Sequence, residues 1–421
     1  MTETTATPGI QAHGPSAAIA AGGRISEIDM MRGLVIVLMA LDHVRDYFFN
    51  GAGMVGVGGA LLDPATTTPA IYITRWITHL CAPTFVFLAG VSAYLQFAKG
   101  KPIPQLSRFL LTRGLWLIFL EATVLSFGWS FGFPYAFFMQ VIWAIGICML
   151  ALAALVWLPR MAVLAIGVAI IAGHNLLDPI TTEQGGGLLW TVLHEGGPII
   201  VGETPIGLVA YPVLPWIGII ALGYGLGGVF TEAPEKRNRT IFFIGLGMLA
   251  AFFLLRFAMV YGDPAFPTGP EAEWKDWREQ SSLGAAIMVF FDVQKYPPSL
   301  QFTLGTLGIM LTLWPLLTRL RGPVASVLTT FGAVPFFFYL LHVYLIHLLA
   351  IAANAAMGRN VGGLFDYMIN VFIHPERLAG LGFSLPWVYV AWFTVLVLLY
   401  PLCRYWQQLK ARRRDWWLSY L

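Results

Sequence analysis

Charge is scarce in this chain. Only 11% of its 421 residues are Asp, Glu, Lys or Arg, against roughly a quarter in a soluble globular protein. That shortage, with 57% hydrophobic residues and a mean hydropathy of +0.72, excludes a soluble enzyme and points to a polytopic membrane protein. The length then belongs to one helical bundle. A net charge of +3 is too small to argue for nucleic acid, so no such partner is expected. Cysteine is nearly missing. Cys81, Cys148 and Cys403 all fall in apolar stretches with no CxxC spacing, which argues against a disulfide framework and a Cys/His metal centre; no metal is expected. No Ser nucleophile elbow, Walker loop, HExxH or dinucleotide fingerprint stands in a credible context. Residues 1–23 contain no Lys or Arg and no apolar core. They therefore read as a disordered cytoplasmic tail and not as a secretory signal.

What is present is a series of apolar runs, each near the ~20 residues needed to cross the hydrocarbon. They fall near 30–49, 70–97, 106–127, 136–158, 160–175, 209–230, 240–261, 300–320, 331–354 and 386–407. Lys and Arg alternate with this count. Lys99, Lys101, Arg108 and Arg113, then Arg160, then Lys236, Arg237 and Arg239, then Arg319 and Arg321 fall on one side. Lys410 and Arg412–Arg414 join them, while the opposite connections are acidic or rich in Gly and Pro. The positive-inside rule predicts an all-α bundle of about ten transmembrane helices with both termini cytoplasmic. The parts are a tail over 1–23, a membrane domain over 24–408 and a basic cytoplasmic tail over 409–421. The long outer loops 175–208 and 262–299 carry Trp, Gly and Pro, so ordered lids are expected there.

The first helix organises the rest. Its apolar run, Gly33–Leu41, ends in Asp42, His43, Arg45 and Asp46 before it could have crossed the bilayer, and charges at that depth are costly. With a rise of ~1.5 Å per residue, His43 lies roughly 16 Å beyond Arg32. Depth estimates place Arg75 and His79 on helix two, Glu121, Arg256 and His342 in the same slab, from the midplane outward. Arg75 and His79 are four apart and share a helix face. His342 and His347 are five apart, so they face different ways; His347 reads as a histidine bonded to a neighbouring helix. Glu121 and Arg256 either join the site or pair with each other.

An imidazole that exchanges protons near neutrality, beside a carboxylate, suits general base catalysis. Asp46, a turn along from His43, is the better placed partner, while Asp42 points about 100° away. Arginines nearby suit an anionic group or an oxyanion. Without a protein nucleophile, the cluster suggests direct transfer to a hydroxyl or amine. The alternative is a proton-coupled transporter using the same His/Asp/Arg/Glu cluster as a relay. A third reading is a scaffold whose charges only knit helices together.

The segment RISEIDMMRGLVIVLMALDH (24–43) resembles the first-helix signature of the transmembrane acyltransferase superfamily. The likeness is to a bacterial group resembling the catalytic domain of heparan-alpha-glucosaminide N-acetyltransferase. HLCAPTFVFLAGVSAYL (79–95) is similar to that group's second-helix pattern, and FGAVPFFFYLLHVYLIH (331–347) to its late helix. The resemblance implies acetyl-CoA as donor from the cytoplasm and a carbohydrate or other acceptor on the far side of a bacterial inner membrane. It implies His43 as the base and Arg32, Arg108 and Arg113 against the CoA phosphates. In the heparan enzyme the position of His43 looks like Asn, and its catalytic His lies in the following loop. The matching stretch here, 51–69, has no His, which moves the expectation to His43. Arg45, Arg75, His79, Glu121, Arg256 and His342 are expected to line the substrate pocket. A homodimer is left open.

Overall fold

The computed structural model describes residues 25–50, 67–133, 135–182, 187–202, 204–263, 276–413 and 415–419. The tail over 1–23 and most of the loop 51–69 lie outside them. The described residues form an all-α membrane bundle with one small sheet. Helix α1 is Ser26–Phe48; α2 is Pro69–Ala98, α3 Ile103–Ser130, and α5 Arg160–Leu177. Strand β1, Phe137–Met139, leads into α4, Val141–Leu155. Strands β2, Gly197–Val201, and β3, Thr204–Val209, form a hairpin before α6, Val213–Thr231. Then come α7, Pro234–Ala258, α8, Leu283–Phe291, and α9, Leu300–Arg319. Helices α10, Gly322–Ala333, α11, Pro335–Ala356, and α12, Leu385–Arg412, complete the bundle.

Among the described residues, eight of these helices are long and apolar enough to cross a membrane. The two others that match expected spans depart for plain reasons. Helix α1 has 23 residues, enough to cross, but carries six charges from Glu27 to Asp46. Helix α4 has only 15 residues, because Phe137–Met139 is drawn out as a strand beside β3. Helix α6 is central and α12 peripheral: 67% of the most apolar window of α6 is buried, against 22% for α12. The outer faces of α7 and α12 expose Phe243, Phe257, Phe393 and Val397, as a lipid-facing surface requires.

Two boundaries differ from expectation. The run read as one helix over 331–354 is preceded by α10, which breaks at Val334 before Pro335, a residue unable to continue a helical hydrogen-bond ladder. At 12 residues, α10 is ~18 Å long and does not cross. It lies against α1 through glycine. A Cβ on Gly33 would sit 1.9 Å from the Leu328 carbonyl oxygen, and one on Gly332 would sit 1.7 Å from that of Asp29; only backbone on backbone fits there. The last helix runs on to Arg412, so 409–412 belongs to it and not to a tail.

The basic connections gather at one end. Arg237 bonds Glu27 at 3.1 Å, joining the starts of α7 and α1. Arg160, at the start of α5, donates to the Gly225 carbonyl at 2.8 Å. Of the two long loops expected to form lids, 183–186, 203 and 264–275 lie outside the described residues; the rest includes a hairpin and a short helix. Strand β3 pairs parallel with β1 and antiparallel with β2. The segment after α8 folds back toward α1, so that β1, the residues after β3 and Lys295–Tyr296 together roof the end of the first helix.

Candidate active site

The charged end of α1 is assembled from three elements. Asp42 accepts from Arg45 on its own helix at 2.8 Å and from Arg75 on α2 at 3.0 Å. The Thr78 hydroxyl adds a bond at 2.9 Å, and Lys295, from the segment after α8, lies at 3.8 Å. Arg45 also holds Asp46 at 2.7 Å. Three cations therefore meet two carboxylates, leaving excess positive charge at low dielectric, which favours a developing oxyanion nearby. The carboxylates are engaged with cations. Among the described residues, neither hydrogen-bonds His43, whose Nδ1 meets His342 instead, so the expected Asp46 partnership is not formed.

His43 is partnered by another histidine. Its Nδ1 lies 2.6 Å from Nε2 of His342 on α11. The Nδ1 of His342 lies 2.6 Å from the Tyr339 carbonyl oxygen, which only accepts. The proton of a neutral His342 therefore sits on Nδ1, and its Nε2 is a bare acceptor. His43 must donate from Nδ1, which leaves its Nε2 with a free lone pair. The network assigns the tautomer a general base needs. Trp129 holds the ring edge-on, with centroids 4.8 Å apart. The role foreseen for a carboxylate thus falls to an imidazole anchored on backbone.

Around this pair lie three cavities. A chamber of about 40 Å³ is lined by His43, Asp42, Arg45, Gln140, Tyr211 and Tyr296, among others. That volume holds one or two waters. A larger cavity of about 290 Å³ carries Arg32, Arg113 and Lys410, has walls such as Phe85 and Ala89, and reaches Tyr339. The Tyr339 hydroxyl donates to Gln140 at 3.2 Å, so one hydrogen-bonded pair stands between the large cavity and the chamber. A third cavity, about 130 Å³, shares Asp46 and Tyr367 with the chamber and continues past Gly380 and Gly382.

Arg45, Arg75 and His342 are thus brought to His43, Asp42 and Asp46 as foreseen, and Arg32 and Arg113 to the large cavity. Four expected residues stand elsewhere. His79 is buried against Phe302 with no partner for Nδ1. The 3₁₀ segment Thr78–Leu80 inside α2 tightens the angular step per residue there, and the His79 ring meets Phe302 edge-on. Glu121 caps α4, where Oε2 accepts from the Trp143 amide at 2.9 Å, a natural seat for a carboxylate. Arg256 binds the carbonyls of Phe290, Val289 and Asp292 and bridges to Asp263 at 3.3 Å. It does not pair with Glu121. Arg108 is exposed and lines none of the three cavities. The two ring nitrogens of His347 lie 3.0 Å from the Gly128 carbonyl oxygen and 2.9 Å from that of Leu364; a neutral ring donates to one of them, tying α11 to its neighbours as expected. Sequence reasoning missed Lys295, Tyr296, Tyr211 and Gln140, which come from loops, and Lys410, which it placed in a tail.

The apolar helices around this buried chamber make the chain an integral membrane protein. The family described as "Heparan-alpha-glucosaminide N-acetyltransferase, catalytic" matches residues 24–257, more than half of the chain. The chain belongs to that family, a family of membrane acetyltransferases. No curated protein matches it by sequence. The matched region covers the Asp42 cluster, His43, Arg32 and Arg113, whereas His342, Lys295 and Lys410 lie beyond it.

Proposed function

We propose that this protein transfers an acetyl group from acetyl-CoA to a hydroxyl or amine of a carbohydrate or similar acceptor, with His43 as general base. The observation that carries the reading is the meeting of two cavities at Tyr339 and Gln140, one basic at its far end and one holding His43. The large cavity suits a CoA donor. Arg32, Arg113 and Lys410 provide charge for its phosphates, and the apolar walls suit the pantetheine arm. At about 290 Å³ it sits at the small end of ligand pockets. The positive-inside pattern puts its basic end in the cytoplasm. The acceptor reaches the chamber by the third cavity, beside Asp46 and Tyr367.

In the step itself, Nε2 of His43 takes the proton of the acceptor hydroxyl or amine as that atom attacks the thioester carbonyl carbon. The C–S bond breaks, the CoA thiolate leaves, and the imidazolium returns the proton to it. Arg45, Arg75 and Lys295 supply positive charge near the carbonyl oxygen at the tetrahedral stage. A relay of protons across the membrane is less well supported, because Arg45 and Arg75 hold Asp42 and Arg45 also holds Asp46. The test is CoA release from acetyl-CoA by purified protein offered amino sugars and sugar alcohols. Release abolished in His43→Ala is expected; unchanged turnover in that variant removes His43 from the mechanism.

A further inference from the structure

Away from the chamber, a second histidine pair stands beside a carboxylate. Where α5 closes in a 3₁₀ turn, His174–Leu177, His174 and Asp178 lie four residues apart. His194 comes back to them from the turn Thr191–Glu195, after α5 and before β2. His174 Nδ1 and His194 Nε2 are 3.4 Å apart, and His194 Nε2 is 3.5 Å from Asp178 Oδ1. All three ligand atoms lie within 4.8 Å of one another. A tetrahedral ion with bonds of ~2.0–2.1 Å has ligand–ligand edges of roughly 3.3–3.4 Å. Two edges of the triangle already stand near that length, and a turn of the Asp178 carboxylate brings in the third. As a hydrogen bond between rings, 3.4 Å is long.

The surroundings are those of ligands held in place. Both histidines are buried. The Trp190 ring stacks on His194 at 5.0 Å and 18°. Asn175 donates to Asp178 Oδ2 at 2.9 Å and accepts from the Leu300 amide at 2.9 Å, a support of the kind that orients metal-binding carboxylates. Among the described residues, His174 Nε2 is buried without a hydrogen-bond partner. His194 Nε2 lies 3.0 Å from the His174 carbonyl oxygen, which only accepts, so in the ion-free ring that nitrogen carries the proton; an ion takes the other tautomer, with the proton on Nδ1.

We infer that His174, Asp178 and His194 bind a divalent transition ion, Zn²⁺ foremost. Two imidazoles and one carboxylate suit that class and disfavour Ca²⁺ or Mg²⁺, which take oxygen ligands. The fourth position falls to water or to the His174 carbonyl. The ion staples the end of α5 to the turn before β2, and so steadies the hairpin whose strand β3 pairs with β1. The inference does not rest on the transferase reading.

The test uses the full chain, without a polyhistidine tag, purified in detergent and stripped with chelator. Calorimetric titration with Zn²⁺ is expected to give one site per chain and a rise in melting temperature. His194→Ala and His174→Ala should weaken binding at least ~100-fold, and Asp178→Asn ~10–100-fold. Each variant should lose the thermal gain. Absence of binding in the unaltered chain overturns the inference, and so does undiminished affinity in His194→Ala. Should the alanine variants fail to fold, the nearly isosteric Asp178→Asn decides on the same criterion.

Discussion

This molecule holds two histidine pairs, and their surroundings differ. His43 and His342 are 2.6 Å apart, with backbone carbonyls behind and a chamber in front. His174 and His194 are 3.4 Å apart with a carboxylate at 3.5 Å. In the first pair the carbonyl of Tyr339 fixes one tautomer and leaves a lone pair toward the chamber, which suits proton transfer. In the second, the rings stand at the spacing of ligands around an ion. The lesson is that a histidine pair is read from what lies behind it. Behind the first pair stands a backbone acceptor that fixes a tautomer, whereas a carboxylate oxygen converges on the second.

The sharpest way to break this contrast is to exchange the losses. His43→Ala is expected to lower acetyl transfer by ~10²–10⁴-fold, the range for a lost general base, with Zn²⁺ affinity unaltered. His194→Ala should do the reverse, keeping transfer while losing the ion. If both variants lose both properties, the pairs are not independent. Next in size is Asp42→Asn, which leaves Arg45, Arg75 and Lys295 without their shared carboxylate. Breaking a buried pair from one side costs about 3–5 kcal/mol, so detergent-solubilised protein should unfold at markedly lower denaturant. An unchanged midpoint denies the network its structural part.

His342→Leu should lower kcat by about 10–100-fold, the usual cost of losing an orienting partner, with little change in the KM for acetyl-CoA. His342→Gln, which still offers an acceptor to His43 Nδ1, should recover part of that loss. A positioning role requires this recovery; a merely space-filling one does not. The smallest effect is expected for Arg113→Gln or Lys410→Gln, a rise of roughly three- to tenfold in KM for acetyl-CoA with kcat kept. A fall in kcat instead would move those side chains from binding to chemistry.

Much of this was legible before any coordinates. Apolar runs and the alternation of Lys and Arg marked ten of the helices, because bilayer thickness dictates length and sidedness independently of packing. The run ending in Asp42, His43 and Asp46 marked the proposed site, since such charges have no other cheap place. What escaped depends on tertiary encounter. Lys295 and Tyr296 sit in a loop whose reach toward α1 has no periodic signal. His79 packs against Phe302, in a stretch where α2 winds as a 3₁₀ turn that the sequence does not announce. Lys410 sits on a helix continued past its apolar part. His194 is 20 residues from His174, a spacing that matches no short metal motif.

Calorimetric titration of acetyl-CoA into the purified protein tests the central claim most directly, paired with Ala89→Trp, which puts an indole into the large cavity that Ala89 lines. We predict saturable binding by the unaltered chain and loss of that binding in a folded Ala89→Trp variant. No binding by the unaltered chain, or equal binding by both, contradicts the account.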